Sequence, residues 1–297
     1  MNIINAFNTS IEIGLLYSLA VIGVYISFEI IRFPDLSVDS TITLGAVTVS
    51  VFILNNMNPF FATLIAIIFG FVAGFTVGIL NSKFRINKLL SSIIVLISLY
   101  SINLAIMGRS NISILNKLTI FSQFENYFNI NLRIIMVCLF SVSLIIGLLI
   151  FFFKTDLGLS LRFIGENEKT LKTLGKNIGY VNSFGLGLAN SMLALSGAFI
   201  AQSNGFADVN MGLGTLVICL ASLIIGKSIL NPSSILSVLL AMIFGSIIYQ
   251  FLIALSLQIG LPVYYVKLLT GLLLVVLLSS SNISKNRVQL GIEKIKI

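Results

Sequence analysis

The sequence has no histidine, and its 297 residues include only two cysteines, four prolines and 9% charged side chains. Without histidine the chain lacks the commonest metal ligand and the commonest general base near neutral pH. Cys138 and Cys219 are far apart and form no Cys-x-x-Cys pair. Both sit within apolar runs, where they read as small buried residues. No Gly-x-x-x-x-Gly-Lys-Ser/Thr loop occurs, so ATP binding through that phosphate cradle is excluded. The first ten residues carry no Lys or Arg, so the basic start of a secretory signal is missing and the first apolar run reads as a true span. Every Asp and Glu falls near the end of an apolar run or in a polar stretch. No carboxylate pair, nucleophile–base pair or metal cluster appears within a run, so neither enzymatic chemistry nor a metal site is expected. Ion-coupled carriers keep ionisable groups in the membrane interior, and this pattern speaks against that mechanism too.

What the chain has is apolar length. Hydrophobic residues make up 57% of it and the mean hydropathy is +1.08, whereas a soluble domain is about 25% charged. Folded in water it would expose a large apolar area. The expected fold is all-α, a polytopic membrane bundle forming one domain over residues 1–297. A span needs about 20 apolar residues, and nine candidates occur: 11–31, 41–54, 59–80, 89–107, 133–153, 181–201, 214–230, 234–257 and 263–280. The second is too short to cross as a straight helix. It follows a polar stretch containing Pro34, which lacks a backbone donor. Polar backbone at membrane depth survives only where protein or a wet cavity surrounds it, so a broken or re-entrant second element is expected.

Lysine and arginine placement orients the bundle. Loop 81–88, stretch 154–180 and the basic tail 284–297 are assigned to the cytoplasm. Of the 18 Lys and Arg, only Arg109, Lys117, Arg133 and Lys267 then lie on the other side, which leaves 14 inside. Shifting by one span reverses the ratio. The net charge of +8 thus signals topology and anionic lipid, and gives no reason to expect nucleic acid.

Two internal patterns stand out. Gly70, Gly74 and Gly78 are spaced four apart, a stripe that lets another helix approach closely, within one subunit or between two. A shift of 173 residues aligns Gly14-Leu-x-x-Ser18 with Gly187-Leu-x-x-Ser191, and Phe33-Pro-Asp35 with Phe206-Ala-Asp208. Five spans separate the copies, so they would form an inverted repeat, the plan of alternating-access carriers. Chance likeness between two apolar helices is the alternative.

Stretch 154–180 carries the most information. Asn167 suits an N-cap and Glu168 follows in the first turn, where negative charge complements the helix dipole. Gly175 suits the residue just past the end. The spacing predicts a two-turn helix over 168–174, entered by a sharp turn at Gly165, with Leu171 and Leu174 on one face. Such a helix fits a partner's groove; a solvated loop is the alternative. The stretch resembles the ATPase-contacting loop of permeases from bacterial ABC importers of the branched-chain amino acid and ribose type. Thr155, Gly158, Leu161, Arg162, Gly165, Asn167, Gly175 and Asn177 match the pattern, while Phe163 and Lys176 depart from it. Residues 33–39, Phe-Pro-Asp-Leu-Ser-Val-Asp, look like the corresponding stretch of tryptophan- or tyrosine-type uptake permeases. The resemblance runs from about Gly14 to Ser280.

The resemblance implies a transport subunit without catalysis or a cofactor of its own. ATP and Mg would sit on a cytoplasmic ABC ATPase dimer. A second permease copy, an extracytoplasmic solute-binding protein and membrane lipid would complete the assembly in the bacterial inner membrane. It places Arg162, Gly165, Asn167, Glu168, Leu171, Leu174 and Gly175 at the ATPase. Asp35, Ser37, Asp39, Asp208 and Asn210 would lie at gates or the cavity edge. Asn103, Asn190, Gln202 and Gln250 are candidate path-lining groups; each also suits a plain helix–helix hydrogen bond. An amino acid is the expected solute, with a sugar or nucleoside as alternatives and an ion-coupled secondary carrier as the competing class. The orientation predicts that single cysteines at Lys172 and Lys294 resist an impermeant thiol reagent in intact cells. Labelling of either from outside would overturn it.

Overall fold

A computed structural model describes residues 3–124, 130–166, 171 and 173–260, with isolated positions between 262 and 275. The chain is an all-α membrane bundle. Its helices are α1 (Ile3–Tyr25), α2 (Val38–Leu54), α3 (Pro59–Ser82), α4 (Lys88–Met107), α5 (Ile130–Phe153), α6 (Asp156–Glu166), α7 (Ile178–Asn204), α8 (Thr215–Leu230) and α9 (Ile235–Gln258). One antiparallel pair, β1 (Asn111–Ser113) with β2 (Phe206–Asp208), closes one end. Among the described residues six helices are long and apolar enough to cross a membrane, while α2 and α8 are shorter. The candidate spans 41–54 and 214–230 correspond to these two short helices. The ninth candidate, 263–280, and the basic tail lie largely or wholly outside the described residues.

Local signals start and stop the helices. Asn58 accepts from Phe60 N ahead of Pro59 to open α3, and Asn87 accepts from Leu89 N to open α4. Asn177 accepts from Tyr180 N to open α7, and Ser234 with Ser237 forms a capping box on α9. α1 does not stop at Tyr25 but widens into one π-turn over Ile26–Ile30.

α7 is the axis of the bundle and is buried almost throughout, with α3, α2 and α1 packed around it. Lipid supplies no hydrophobic drive between helices, so close contact has to. The glycine stripe of α3 provides it within this chain. A Cβ on Gly74 would lie 2.1 Å from Leu186 O, and one on Gly78 would lie 2.3 Å from Ser183 Cα. The outward faces stay apolar, as Phe61, Ile97 and Phe140 show.

The ends of the bundle are distinguishable. Gly179, at the start of α7, meets Ser82 at the end of α3. Lys227 on α8 pairs with Glu29, within the π-turn, there too. This basic end also carries Lys83, Arg85 and Lys88. The β pair lies at the opposite end, where Lys117 donates to Asn56. Overpacking a core commonly costs ~1–3 kcal/mol, so Gly74→Val should lower the melting temperature of the purified protein by several degrees. Gly147→Val on α5, where no atom lies within 4 Å of a new Cβ, should change it little. Equal melting of the two variants would show that the α3–α7 approach is not a stabilising contact.

Candidate functional site at the junction of two interrupted helices

The polar break between α1 and α2 does not run along a bundle surface. It folds inward, and Phe33, Asp35 and Ser37 are fully buried. Asp35 Oδ1 accepts from Ser37 N at 2.9 Å and from Ser37 Oγ at 2.6 Å; Oδ2 accepts from Asn190 Nδ2 at 2.7 Å. Asn190 lies twelve residues into α7, about 18 Å along its axis at ~1.5 Å per residue. Asp35 is therefore at mid-depth. The sequence pattern placed Asp35 in a polar stretch beyond a span end, and the structure adds that this stretch enters the bundle instead of leaving it.

Asp39 is one turn further on, in the first turn of α2. Its Oδ1 accepts from Leu216 N at 2.9 Å and Thr215 Oγ1 at 3.0 Å, and its Oδ2 accepts from Gly214 N at 2.9 Å. α8 begins at Thr215, and its N-cap position is Gly214, which has no side chain to cap with. Asp39 caps α8 from another helix. The approach requires glycine: Gly214 has φ +87°, and a Cβ on Gly212 would lie 1.9 Å from Asp39 O. From this junction α2 runs toward the β pair, where Asn56 meets Lys117, and α8 runs toward the basic end, where Lys227 meets Glu29. Two helices too short to cross the ~30 Å hydrocarbon core thus start from one point inside it.

α4 is tied to the same place. Ser40 Oγ donates to Leu96 O at 2.9 Å, and Asn103 Nδ2 donates to Ser40 O at 3.0 Å. Beside them a recess of about 200 Å³ is lined by Asp39, Ser40, Thr43, Leu96, Ile97, Tyr100, Val209 and Leu213. Its open surface is mainly apolar, and Tyr100 and Leu213 stand exposed at its rim. Among the described residues no three His, Cys, Asp or Glu side chains gather to hold a metal ion.

Asp208 and Asn210 lie apart from this junction, at the β pair. Asp208 Oδ1 accepts from Asn210 N at 2.8 Å and Oδ2 from Asn111 Nδ2 at 3.2 Å. The Asp208–Asn210 turn has the same bond as Asp35–Ser37, carboxylate to the amide two residues on. Of the remaining candidates, Asn103 and Asn190 join the junction. Gln202 sits nearer the β pair, donating to Thr63 and accepting from Ile120 N, and Gln250 lines a separate recess with Thr9 and Ser10. Sequence reasoning missed Gly212, Gly214 and Thr215. Their Gly-x-Gly-Thr run directly before an apolar stretch was the available signal.

Stretch 154–180 departs from its expected form. Residues 156–166 are helical, and Gly165 lies within α6 and not at a turn. A Cβ there would lie 2.0 Å from Ile30 O, so the glycine serves close packing on the π-turn. Leu171 is 2% exposed and packs into this chain's own core, whereas Leu174 is 66% exposed. Positions three apart on a helix differ by about 60°, enough to point one inward and one outward. Arg162 is exposed, and Gly175 has φ +72° just past the helical positions. Asn167 and Glu168 lie outside the described residues.

Residues 7–278 match the family of branched-chain amino acid transport system permease components. The chain belongs to that family. The permease is 41% identical to a tyrosine transport system permease protein of Clostridioides difficile (strain R20291), over 91% of this chain and 90% of that one. It is 35% identical to an uncharacterised protein of Rickettsia prowazekii (strain Madrid E), over 93% and 98%. No solved structure matches it.

The trans-cap makes a sharp prediction for the permease. Removing a helix cap costs ~0.5–2 kcal/mol, and hydrogen bonds to a charged group are worth ~1.5–3 kcal/mol each. Asp39→Ala should speed hydrogen exchange at Gly214 and Leu216 by tenfold or more and lower the melting temperature. Asp208→Ala should leave those amides protected. Unchanged exchange in Asp39→Ala would mean that α8 does not depend on this carboxylate.

Proposed function

We propose that this permease is the membrane-spanning subunit of a binding-protein-dependent ABC importer for an amino acid, with tyrosine the first solute to test. The observation that carries the reading is the meeting of two half-spanning helices at Asp39. Carriers that alternate access build their solute sites near the bilayer midplane from interrupted helices. In this reading segments 14–36 and 187–209 are an inverted repeat. The shared Asp turn and the opposite courses of α2 and α8 support it. The recess at Ser40, Thr43 and Tyr100 then borders the path, and Asn103 and Asn190 hold its walls in place. The name of the Clostridioides relative supports an amino acid over a sugar or nucleoside.

In the same reading a cytoplasmic ATPase dimer binds ATP and Mg, a second permease copy completes the channel, and a solute-binding protein delivers from outside the bacterial inner membrane. The surface offered to the ATPase is the exposed side of α6 with Leu174. Leu171 is not part of it, since it is already buried in the permease. An ion-coupled carrier is the second reading, favoured by two carboxylates at mid-depth. Each accepts three hydrogen bonds inside the protein, which suits a structural cap better than a site that releases its proton or ion.

Reconstitution separates the two. Liposomes holding this chain with a partner ABC ATPase and a tyrosine-loaded binding protein should accumulate tyrosine only with ATP. The chain alone should accumulate none under a proton or sodium gradient. Burying a leucine is worth ~1.5–3 kcal/mol, so Leu174→Asp should cut ATPase co-purification about tenfold or more while expression stays normal. Gradient-driven accumulation by the chain alone would establish the carrier reading instead.

A further inference from the structure

The basic end holds a recess of about 620 Å³ between the end of α3, the start of α4 and the first turn of α7. None of the residues that line it is acidic. Lys83 and Lys88 come from the α3–α4 connection, Asn177, Ile178 and Gly179 from the opening of α7, and Phe75, Ile79 and Tyr180 from the membrane-facing side. Asn177 takes the amides of Tyr180 and Val181, through its side chain and its carbonyl. Helix geometry gives the amides of Ile178 and Gly179 no intrahelical acceptor, and the positive end of the α7 dipole points the same way. Asn182 is 5% exposed and lines the recess, yet its Oδ1 meets no donor from the protein. The recess therefore presents two lysines and a helix N-terminus for an anion, with one buried acceptor that lacks a donor beside them. Phe75 and Tyr180 pack edge to face beside it, with centroids 6.4 Å apart, where aromatic rings gather at a membrane–water boundary.

We infer that this recess binds the headgroup of an anionic phospholipid such as phosphatidylglycerol. The phosphodiester lies between the α7 N-terminus and the two lysines, and an acyl chain leaves along Phe75 and Ile79. The inference rests on membrane placement alone and holds whatever the solute.

Native mass spectrometry of the full chain, released from micelles doped equally with phosphatidylglycerol and phosphatidylcholine, tests it. Basic groups at a membrane surface each favour anionic lipid appreciably, so phosphatidylglycerol should be retained about tenfold over phosphatidylcholine. Lys83→Gln with Lys88→Gln should abolish that preference. Lys83→Gln alone should reduce it about threefold; Lys83 is exposed, so this variant leaves the Lys88–Phe33 contact at 5.7 Å undisturbed. Lys154→Gln, an exposed lysine at the same end but outside the recess, should leave it intact. Loss of the preference in Lys154→Gln, its survival in the double variant, or its absence in the wild type would overturn the inference. So would displacement of the lipid by millimolar inorganic phosphate, which would make this a site for a free anion.

Discussion

Everything at mid-depth depends on how one carboxylate is satisfied. A helix that begins inside a bilayer leaves its first amides without partners, and hydrocarbon offers none. α8 begins there with a glycine at its N-cap, so the acceptor has to come from elsewhere in the chain. Asp39 supplies it, and the three donors it gains offset the cost of burying a charge. α2, in turn, starts beside Asp35, whose carboxylate takes the Ser37 amide and is held by Asn190. α2 cannot shift without carrying the cap of α8 with it, so the two half-helices move together or not at all.

A chain of contacts joins that unit to the basic end. α6 lies against the π-turn through Gly165 and Ile30. Within the same turn Glu29 pairs with Lys227, near the far end of α8, and the near end of α8 is held by Asp39. A displacement of α6 therefore has a short route to the junction, through one ion pair and one helix. A single π-turn inside a helix is rare and often marks a functional site, and Ile26–Ile30 is where α6 and α8 both meet the end of α1. α7 is the fixed reference, because its small residues let α1, α2 and α3 close on it without gaps.

Much of this was legible in the sequence, and the parts that were not share a cause. Apolar runs, Asn and Ser caps and the short second element follow from composition and spacing, which are local. The glycine stripe on α3 announced close packing and left its partner open, since a stripe does not say what it faces. Asp35 and Asp39 read as loop residues because polarity along a chain reveals a break and not its depth. Gly165 suggested a turn because glycine permits one, yet a missing Cβ serves close approach equally well, and Ile30 O lies where that Cβ would be. Leu171 and Leu174 looked alike on one face until the bundle took Leu171 for its own core.

The same reasoning explains why carboxylates at mid-depth do not by themselves argue for ion coupling. A coupling group must exchange its partner during each cycle, so its alternatives must be close in free energy. Asp39 holds two backbone amides and a hydroxyl at the start of a helix, and releasing them would leave those donors without their acceptor at ~1–3 kcal/mol each. Asp35 is bound on both oxygens by groups that are themselves fully buried. The energetic asymmetry favours carboxylates that keep their partners while the junction moves as a unit.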